Sequence, residues 1–563
     1  ESPKMSWSDR GWYVYETLKA AAEKSQASVS AYLTNAGVSY ESFWIKNTML
    51  VKNSSKVVLS ALQYMPGVTS IRATKTYILY EPEKDKSLIE AEGKGVEPNI
   101  AHVQAPAVWD LGYTGEGLVV SSVDTGVRYT HTALVNQYRG NNGDGSFTHD
   151  YNWFDPYGDH TASPADDNGH GTHTMGTMVG DDGGSNQIGM APGATWMACR
   201  GCNTSNCTDV ALLTCAEFIA APTTTAGTNP NPDMRPNVVN NSWGDCSRSY
   251  DDWYQDVVDA WHAAGVYPVF SNGNSSNCGY SAPPGLNTVG NPARYGNVTG
   301  VGSSGEQNGQ YASHSNWGPT DNLDTINPTD GFDELKPQVI APGVSIRSSV
   351  NTSDTAYQDG WTGTSMSAPH VTALVALMWQ AAPCLVGDYA TTENLIESSA
   401  TDIVYNDGSS GTPTDFPNYA SGWGEINALA AVQAASGLCG NSILTGTITS
   451  DSDVPLEGAR VEITGTSETN HRVVTTNASG VYSANVNADT YTVEASLFGF
   501  ESASVSGVVV PDGETIVQDL QLVELPNTLV TGVVYDGGVE GTSEYHGIPL
   551  AAKLTFSMTG YEE

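Results

Sequence analysis

The sequence predicts an α/β body, a parallel sheet with helices on both faces, preceded by a small α/β head and followed by an all-β sandwich. Three observations predict this. Between residues 91 and 440 short apolar runs alternate with helical patterns. After residue 440 short alternating strands take over with no competing helical period. Charge divides the chain at the same places. Residues 1–90 hold 9 acidic and 11 basic residues, residues 91–440 hold 36 and 9, and residues 441–563 hold 17 and 3.

In the head, residues 14–33 are rich in Ala, Lys and Glu and predict a helix. Residues 43–51 read as a strand, 56–62 as a helix, and 68–71 and 76–80 as two short strands. Residues 80–95 are charged and contain glycine, as expected of an exposed linker. The body offers buried-strand runs at 118–123, 237–240 and 267–270, and helical stretches at 210–220, 253–264 and 368–381. Active sites in such sheets form at the carboxyl ends of the strands. The tail predicts strands at 444–449, 459–464, 481–486, 490–495 and 515–522, a β-sandwich over 441–525. Residues 526–563 start an incomplete second module, because Val530-Thr531-Gly532-Val533-Val534 echoes Leu444-Thr445-Gly446-Thr447-Ile448.

Composition excludes some functions. The 563 residues carry 62 acids against 23 bases, a net charge of −39, which argues against a nucleic-acid partner. The best apolar run, 371–379, is half the length of a bilayer span, so no membrane span is expected. The start at Glu1 shows no signal-peptide pattern, compatible with one removed earlier. Eight cysteines, all within the body, suggest disulfides and a secreted or extracellular protein. A zinc site at Cys199, Cys202, Cys207 and Cys215 is the rival reading, but only the first two have Cys-x-x-Cys spacing. The expected pairs are Cys199–Cys215, Cys202–Cys207, Cys246–Cys278 and Cys384–Cys439, with other connectivities compatible with the sequence.

Three body segments carry chemistry. Asp124 ends an apolar strand in Ser121-Ser122-Val123-Asp124-Thr125-Gly126. Taken alone, such an acid is a turn or cap residue. His170 lies in Asn168-Gly169-His170-Gly171-Thr172-His173, where two histidines three apart suggest a metal pair but lack a third ligand at helical spacing. Ser365 lies in Gly363-Thr364-Ser365-Met366-Ser367-Ala368-Pro369 ahead of an apolar helix, where an N-cap is the common reading. The coincidence of all three is what outweighs these separate readings. A serine hydroxyl needs a base to attack a carbonyl, and a carboxylate to hold that base.

These segments, in the order Asp, His, Ser, resemble the signature motifs of the subtilisin-like serine proteases, the subtilases, over about residues 96–437. Residues 109–117 and Asn240-Asn241-Ser242-Trp243-Gly244 resemble the bacillopeptidase branch in particular. The resemblance implies a catalytic triad of Asp124, His170 and Ser365, with His173 structural. Phe270-Ser271-Asn272-Gly273-Asn274 resembles the family's oxyanion segment. It implies Asn274 as the donor, a one-step ambiguity with Asn272 being decided by the spacing after Gly273. Asn274-Ser275-Ser276 is also a glycosylation sequon, and occupancy there would block catalysis. Ser242, Trp243 and Gly244 resemble one wall of the primary pocket, Ser271, Asn272 and Gly273 the other, and Gly290 its floor.

By the same resemblance, residues 12–82 look like an inhibitory propeptide of ferredoxin-like α/β type, on Met65-Pro66-Gly67-Val68-Thr69-Ser70-Ile71. Residues 1–90 would comprise propeptide and linker, and 91–440 the catalytic domain. The tail resembles the carboxypeptidase-regulatory-like family, on Pro455-Leu456-Glu457-Gly458-Ala459 and Asn477-Ala478-Ser479-Gly480-Val481-Tyr482. Catalysis is expected to need no cofactor. Structural calcium is expected at most weakly: the loop 180–186 does not match the family's strong site. The carbonyls of Ala293, Tyr295 and Val298 match a weaker one, and the Asp-containing loop 141–150 is a further oxygen-rich candidate. The implied function is a secreted endopeptidase made as a zymogen, cutting proteins or peptides after large apolar or aromatic residues, with its own propeptide as a partner in cis. The alternative is a catalytically degenerate adhesin or matrix-binding protein in which the β-modules act.

Overall fold

Seven parallel strands carry the body. In the computed structural model the described residues are 5–85, 95–204, 206–305, 309–319, 335–405, 416–438, 440, 442–466 and 471–525. The sheet runs Val339–Pro342, Thr299–Ser304, Tyr267–Ser271, Val238–Asn241, Val119–Asp124, Thr195–Arg200, Trp153–Phe154, every neighbouring pair parallel. The inner strands Val238–Asn241, Tyr267–Ser271 and Thr299–Ser304 are buried along their whole length, which is why they read as continuous runs of apolar and small residues rather than as alternation.

Helices flank this sheet. Asp209–Ala220 and Gln255–Ala264 share a core with Trp243, Trp253 and Phe270. His170–Val179 packs on Thr364–Ala381, which is buried from Thr364 through Trp379 and therefore apolar around most of its circumference. That helix starts four residues before the expected 368. It holds Pro369 inside, whose missing N–H leaves the Ser365 carbonyl without an intrahelical donor; the Ser242 hydroxyl donates to it at 3.4 Å. The expected start at 253 also shifts. Asp252–Tyr254 form a 3₁₀ turn capped by Asp251 before Gln255 begins the helix.

The head and body form one compact unit, Glu1–Ser436. Trp7–Asn35 is a long helix capped by Ser6. Its Arg10 donates to the carbonyls of Ala263 and Gly387, at 2.7 and 3.2 Å, so it satisfies the end of a body helix. The predicted strand over 43–51 is a hairpin instead, Tyr40–Phe43 against Thr48–Val51, with Asn47 in the left-handed region at φ 49°. Its turn is apolar because it docks. Phe43 and Ile45 are buried in the body's core, and the backbone N–H groups of Trp44 and Ile45 donate to the Glu217 carboxylate. Lys56–Gln63 is the second head helix. Residues 68–71 form no strand. Thr76–Leu79 leaves the head and pairs antiparallel with two body strands, Asn206–Thr208 and Trp243–Gly244. The described start of the expected linker, residues 80–85, is held against the body rather than exposed as a whole, and residues 86–94 lie outside the described residues. Tyr80 is fully buried, and Glu83–Lys84 pairs with Tyr357–Thr362.

Disulfides join Cys199 to Cys215, Cys202 to Cys207 and Cys246 to Cys278. Cys384 is disulfide-bonded, and Cys439 lies outside the described residues. The second unit, Gly437–Glu563, is all-β where described. One sheet contains Val481–Val486, Ser442–Ser450, Leu520–Glu524 and Phe500–Glu501, with Thr515–Val517 beside Ser442–Ser450. The other runs His471–Thr475, Arg460–Gly465, Asp489–Ser496, Ala503–Val510. Leu444, Ile448, Val461, Ile463, Tyr482 and Val493 are among its core residues. Three of these strands, His471–Thr475, Phe500–Glu501 and Ala503–Val510, were not expected, and the expected 515–522 is broken in two. The second module expected over 526–563 lies outside the described residues.

Glu217 is the acceptor for two head amides, so Glu217→Ala leaves both without a partner. Each buried orphan costs about 1–3 kcal/mol. Amide hydrogen exchange at Trp44 and Ile45 in the full chain is expected to accelerate at least tenfold, with the amides of Tyr267–Ser271 unchanged.

Candidate active site

Asp124 stands at the carboxyl end of a central strand and is fully buried. Its Oδ1 accepts from the Thr125 amide at 2.7 Å and from His170 Nδ1 at 2.8 Å. His170 opens its helix, and the next residue has to be glycine. A Cβ on Gly171 would lie 2.1 Å from the Gly126 carbonyl, so only glycine lets this helix approach the strand end. Burial opposes a charged imidazole here. The charge of Asp124 and its hydrogen bond outweigh that, so the His170 pKa lies above its ordinary value. His170 Nε2 is buried without a hydrogen-bond partner. His173 stacks on Trp361 at 4.3 Å, and burial keeps its pKa well below the ordinary value. It is a neutral packing residue.

The loop before His170 is held by Asp166, which the sequence reading missed. Its carboxylate accepts from the Thr125 hydroxyl and from the amides of Asn168, Gly169 and Thr172, at 2.8 to 3.0 Å, and from the Thr172 hydroxyl at 2.6 Å. The readable signal was the run Asp166-Asp167-Asn168-Gly169, the composition of an Asx turn.

Ser365 is the second residue of its helix, so its backbone N–H is among the four that lack an intrahelical acceptor. Its hydroxyl donates to the Tyr80 carbonyl at 2.8 Å. Asn274 follows the strand Tyr267–Ser271 by three residues. The Asn274 Oδ1 accepts from the Thr364 amide and hydroxyl, both at 2.9 Å, which turns its Nδ2 toward the same Tyr80 carbonyl at 3.5 Å. Asn272 differs: its side-chain Nδ2 donates to the Asn316 carbonyl. Ser271 is buried at the strand end.

The head strand therefore delivers a peptide carbonyl to Ser365. Ile78 and Leu79 pair with Gly244 and Trp243, and the Tyr80 amide donates to the Ser242 carbonyl at 3.3 Å. The Tyr80 ring enters a pocket bounded by three glycines. A Cβ on Gly244 or Gly290 would lie 2.3 or 2.4 Å from the Tyr80 hydroxyl oxygen, and one on Gly273 would lie 3.1 Å from the ring carbon bearing it. That hydroxyl donates to the Asp245 carbonyl at 2.8 Å. On the other side of the Tyr80 carbonyl, Asn168 Nδ2 donates to the Glu81 carboxylate at 2.9 Å, and the Lys84 ammonium lies 3.8 Å from the Trp361 ring centre.

Of the carbonyls considered for a cation, that of Val298 accepts the buried Lys336 ammonium at 2.8 Å, so a protein cation already sits on one of Ala293, Tyr295 and Val298. Asp182 in the loop 180–186 accepts from Gly184 and Asn186 of the same loop. In the loop 141–150, Asp144 accepts from Ser146, and Asp150 accepts from Thr225. Among the described residues no group of three or more His, Cys, Asp or Glu gathers as metal ligands.

Comparison with known proteins gives the chain's relatives. The Subtilase family model matches residues 115–424, and the carboxypeptidase regulatory-like domain model matches 443–523. Bacillopeptidase F of Bacillus subtilis (strain 168) is 38% identical over 437 residues, 75% of this chain and 28% of that protein. M-protease of Shouchella clausii (strain KSM-K16) is 32% identical over 284 residues, 50% of this chain and 60% of that protein. The chain thus spans less than two thirds of the length of either relative. Fervidolysin from Fervidobacterium pennivorans, a keratinolytic enzyme, shares the fold at a TM-score of 0.50 and 18% identity, covering 88% of this chain and 76% of that one. With its family motifs carried on the carboxyl ends of a parallel sheet, the chain belongs to the subtilase family.

Proposed function

We propose that the protein is a secreted serine endopeptidase made as a zymogen, whose head is its inhibitor and its first substrate. One observation carries the reading. The Tyr80 carbonyl lies at 2.8 Å from the Ser365 hydroxyl with its side chain enclosed by Gly244, Gly273 and Gly290. This is how a substrate with an aromatic residue before the scissile bond would lie.

In this reading Ser365 Oγ attacks the Tyr80 carbonyl carbon, and the unpartnered His170 Nε2 takes its proton. Asp124, bonded to Nδ1, holds the tautomer and stabilises the imidazolium. The developing oxyanion is met by Asn274 Nδ2 and the Ser365 amide at the positive end of its helix. His170 then gives its proton to the Glu81 nitrogen, and water releases the acyl group from Ser365. No cofactor is needed. In the same reading residues 1–90 are the inhibitory propeptide and linker, 91–440 the catalytic domain, and the sandwich over 441–525 a further module. After the cut, the head strand would stay between its two body strands as a bound product. Export is supported by the disulfides, Cys199–Cys215, Cys202–Cys207 and Cys246–Cys278 among them. No helix among the described residues is long and apolar enough to cross a membrane.

Three outcomes test the reading. Ser365→Ala is expected to accumulate as the uncut chain, whereas the active protein yields a new N-terminus at Glu81-Pro82-Glu83; N-terminal sequencing and mass spectrometry decide. Unchanged processing of Ser365→Ala in a host without other proteases refutes it. Gly290→Val places methyl groups where the Tyr80 ring end lies, so the kcat/KM ratio for Tyr over Ala before the scissile bond is expected to fall about tenfold or more. The pH profile follows from His170. The base works only when neutral, and Asp124 raises its pKa, so activity falls about tenfold per unit on the acid side with a midpoint above the ordinary 6.5. A rate profile between about pH 5 and 9 measures it.

A further inference from the structure

Five residues before Tyr80 the head carries Lys75, and what receives it is built into the body. Its ammonium lies 2.8 Å from Asp245 Oδ2 and 3.0 Å from Asp251 Oδ2, and 4.7 Å from the Tyr77 ring centre. The backbone at this position is fixed on both sides. The Lys75 amide donates to Asp209 Oδ2 at 3.0 Å, and its carbonyl accepts from the Asp209 amide at 3.1 Å. Neither receiving carboxylate depends on Lys75 for its orientation. Asp245 Oδ1 accepts from the amides of Asn291 and Ser247 at 3.0 and 3.1 Å, and Asp251 Oδ1 accepts from the Trp253 amide at 3.1 Å. These bonds leave one oxygen of each residue aimed at the same point. The Asp245 side chain is only 8% exposed. Asp245 also serves the aromatic pocket, since its carbonyl accepts from the Tyr80 hydroxyl.

We propose that Asp245 and Asp251 form an ammonium subsite of the enzyme, which selects protein substrates carrying Lys or Arg five residues before the residue in the Gly290 pocket. The proposal rests on the endopeptidase reading. The head strand occupies the cleft in substrate register, so a substrate pairing with Asn206–Thr208 and Trp243–Gly244 brings its residue at this distance to the same two carboxylates. Once the head leaves, two like charges face one point, and a cationic side chain relieves that repulsion at little cost in reorganisation.

The test uses the full chain, expressed and allowed to process, and peptides with Tyr at the pocket position and Lys, norleucine or Glu five residues before it. A partly exposed ion pair in a fixed cleft predicts kcat/KM for Lys about three- to tenfold above norleucine, with Glu lowest. About 1 M salt is expected to compress the ratio. In the isosteric Asp245→Asn/Asp251→Asn variant, which keeps the Oδ1 acceptors, the Lys-to-norleucine ratio is expected to fall to about one. A merely structural fault would slow all three peptides in proportion and leave the ratio intact, which overturns the assignment. Equal cleavage of the three by the parent enzyme, with Tyr still preferred over Ala in the pocket, overturns the subsite and leaves the endopeptidase reading standing. Cleavage of none of them overturns both.

Discussion

The insertion of one strand, Thr76–Leu79, between two body strands is the constraint on which the cleft geometry depends. It is paired on both edges, so its register is fixed twice, and a slip of one residue would turn every side chain to the opposite face. That register alone puts the Tyr80 ring among glycines, its carbonyl on Ser365, and Lys75 on Asp245 and Asp251. The receiving strands are short and need bracing. The disulfide Cys202–Cys207 ends within one of them, and Cys246–Cys278 ties the segment after the other to the segment after Asn274. Both walls of the cleft are therefore covalently restrained close to where the peptide lies.

The residues of the proposed triad and oxyanion donor owe their positions to a buried polar network more than to one another. Strand ends in a parallel sheet deliver Asp124 and, through short connections, Asn274, while two helix starts deliver His170 and Ser365. Asp166 locks the turn before His170. Its neighbour Asp167 accepts from Arg200 at 2.7 Å and from His160 at 2.8 Å, and Arg200 stands opposite Asp124 in the sheet. The buried Asp166 carboxylate, with this many donors, is costly to disturb because each lost partner leaves an unsatisfied group.

Charge and fit contribute differently to the seating of the head. The head's cations meet body acids at Lys46–Asp256, Arg72–Asp209 and Lys75–Asp245/Asp251. Partly exposed pairs of this kind contribute about 0–1 kcal/mol each. A fully buried Ile or Phe contributes about 1.5–3 kcal/mol. Phe43, Ile45, Tyr77, Leu79 and Tyr80, all buried in the docked head, therefore dominate its hold, with charge setting approach and salt sensitivity.

The sequence by itself determined the class of the body, the places of Asp124, His170, Ser365 and Asn274, and the all-β tail. These rest on local patterns: an apolar run ending in an acid, a glycine-flanked helix start, a serine before an apolar helix. Local patterns misread the head at 43–51, where an apolar turn looked like a strand because its burial comes from a partner 170 residues away, around Glu217. They read the segment after Tyr80 as an exposed linker because its charges suit water. Only the folded chain shows Lys84 over Trp361. Asp245 and Asp251 were invisible for the same reason. A carboxylate in sequence is a solvated charge until tertiary structure brings its donors together, and for Asp245 those donors come from residues as far apart as Lys75 and Asn291.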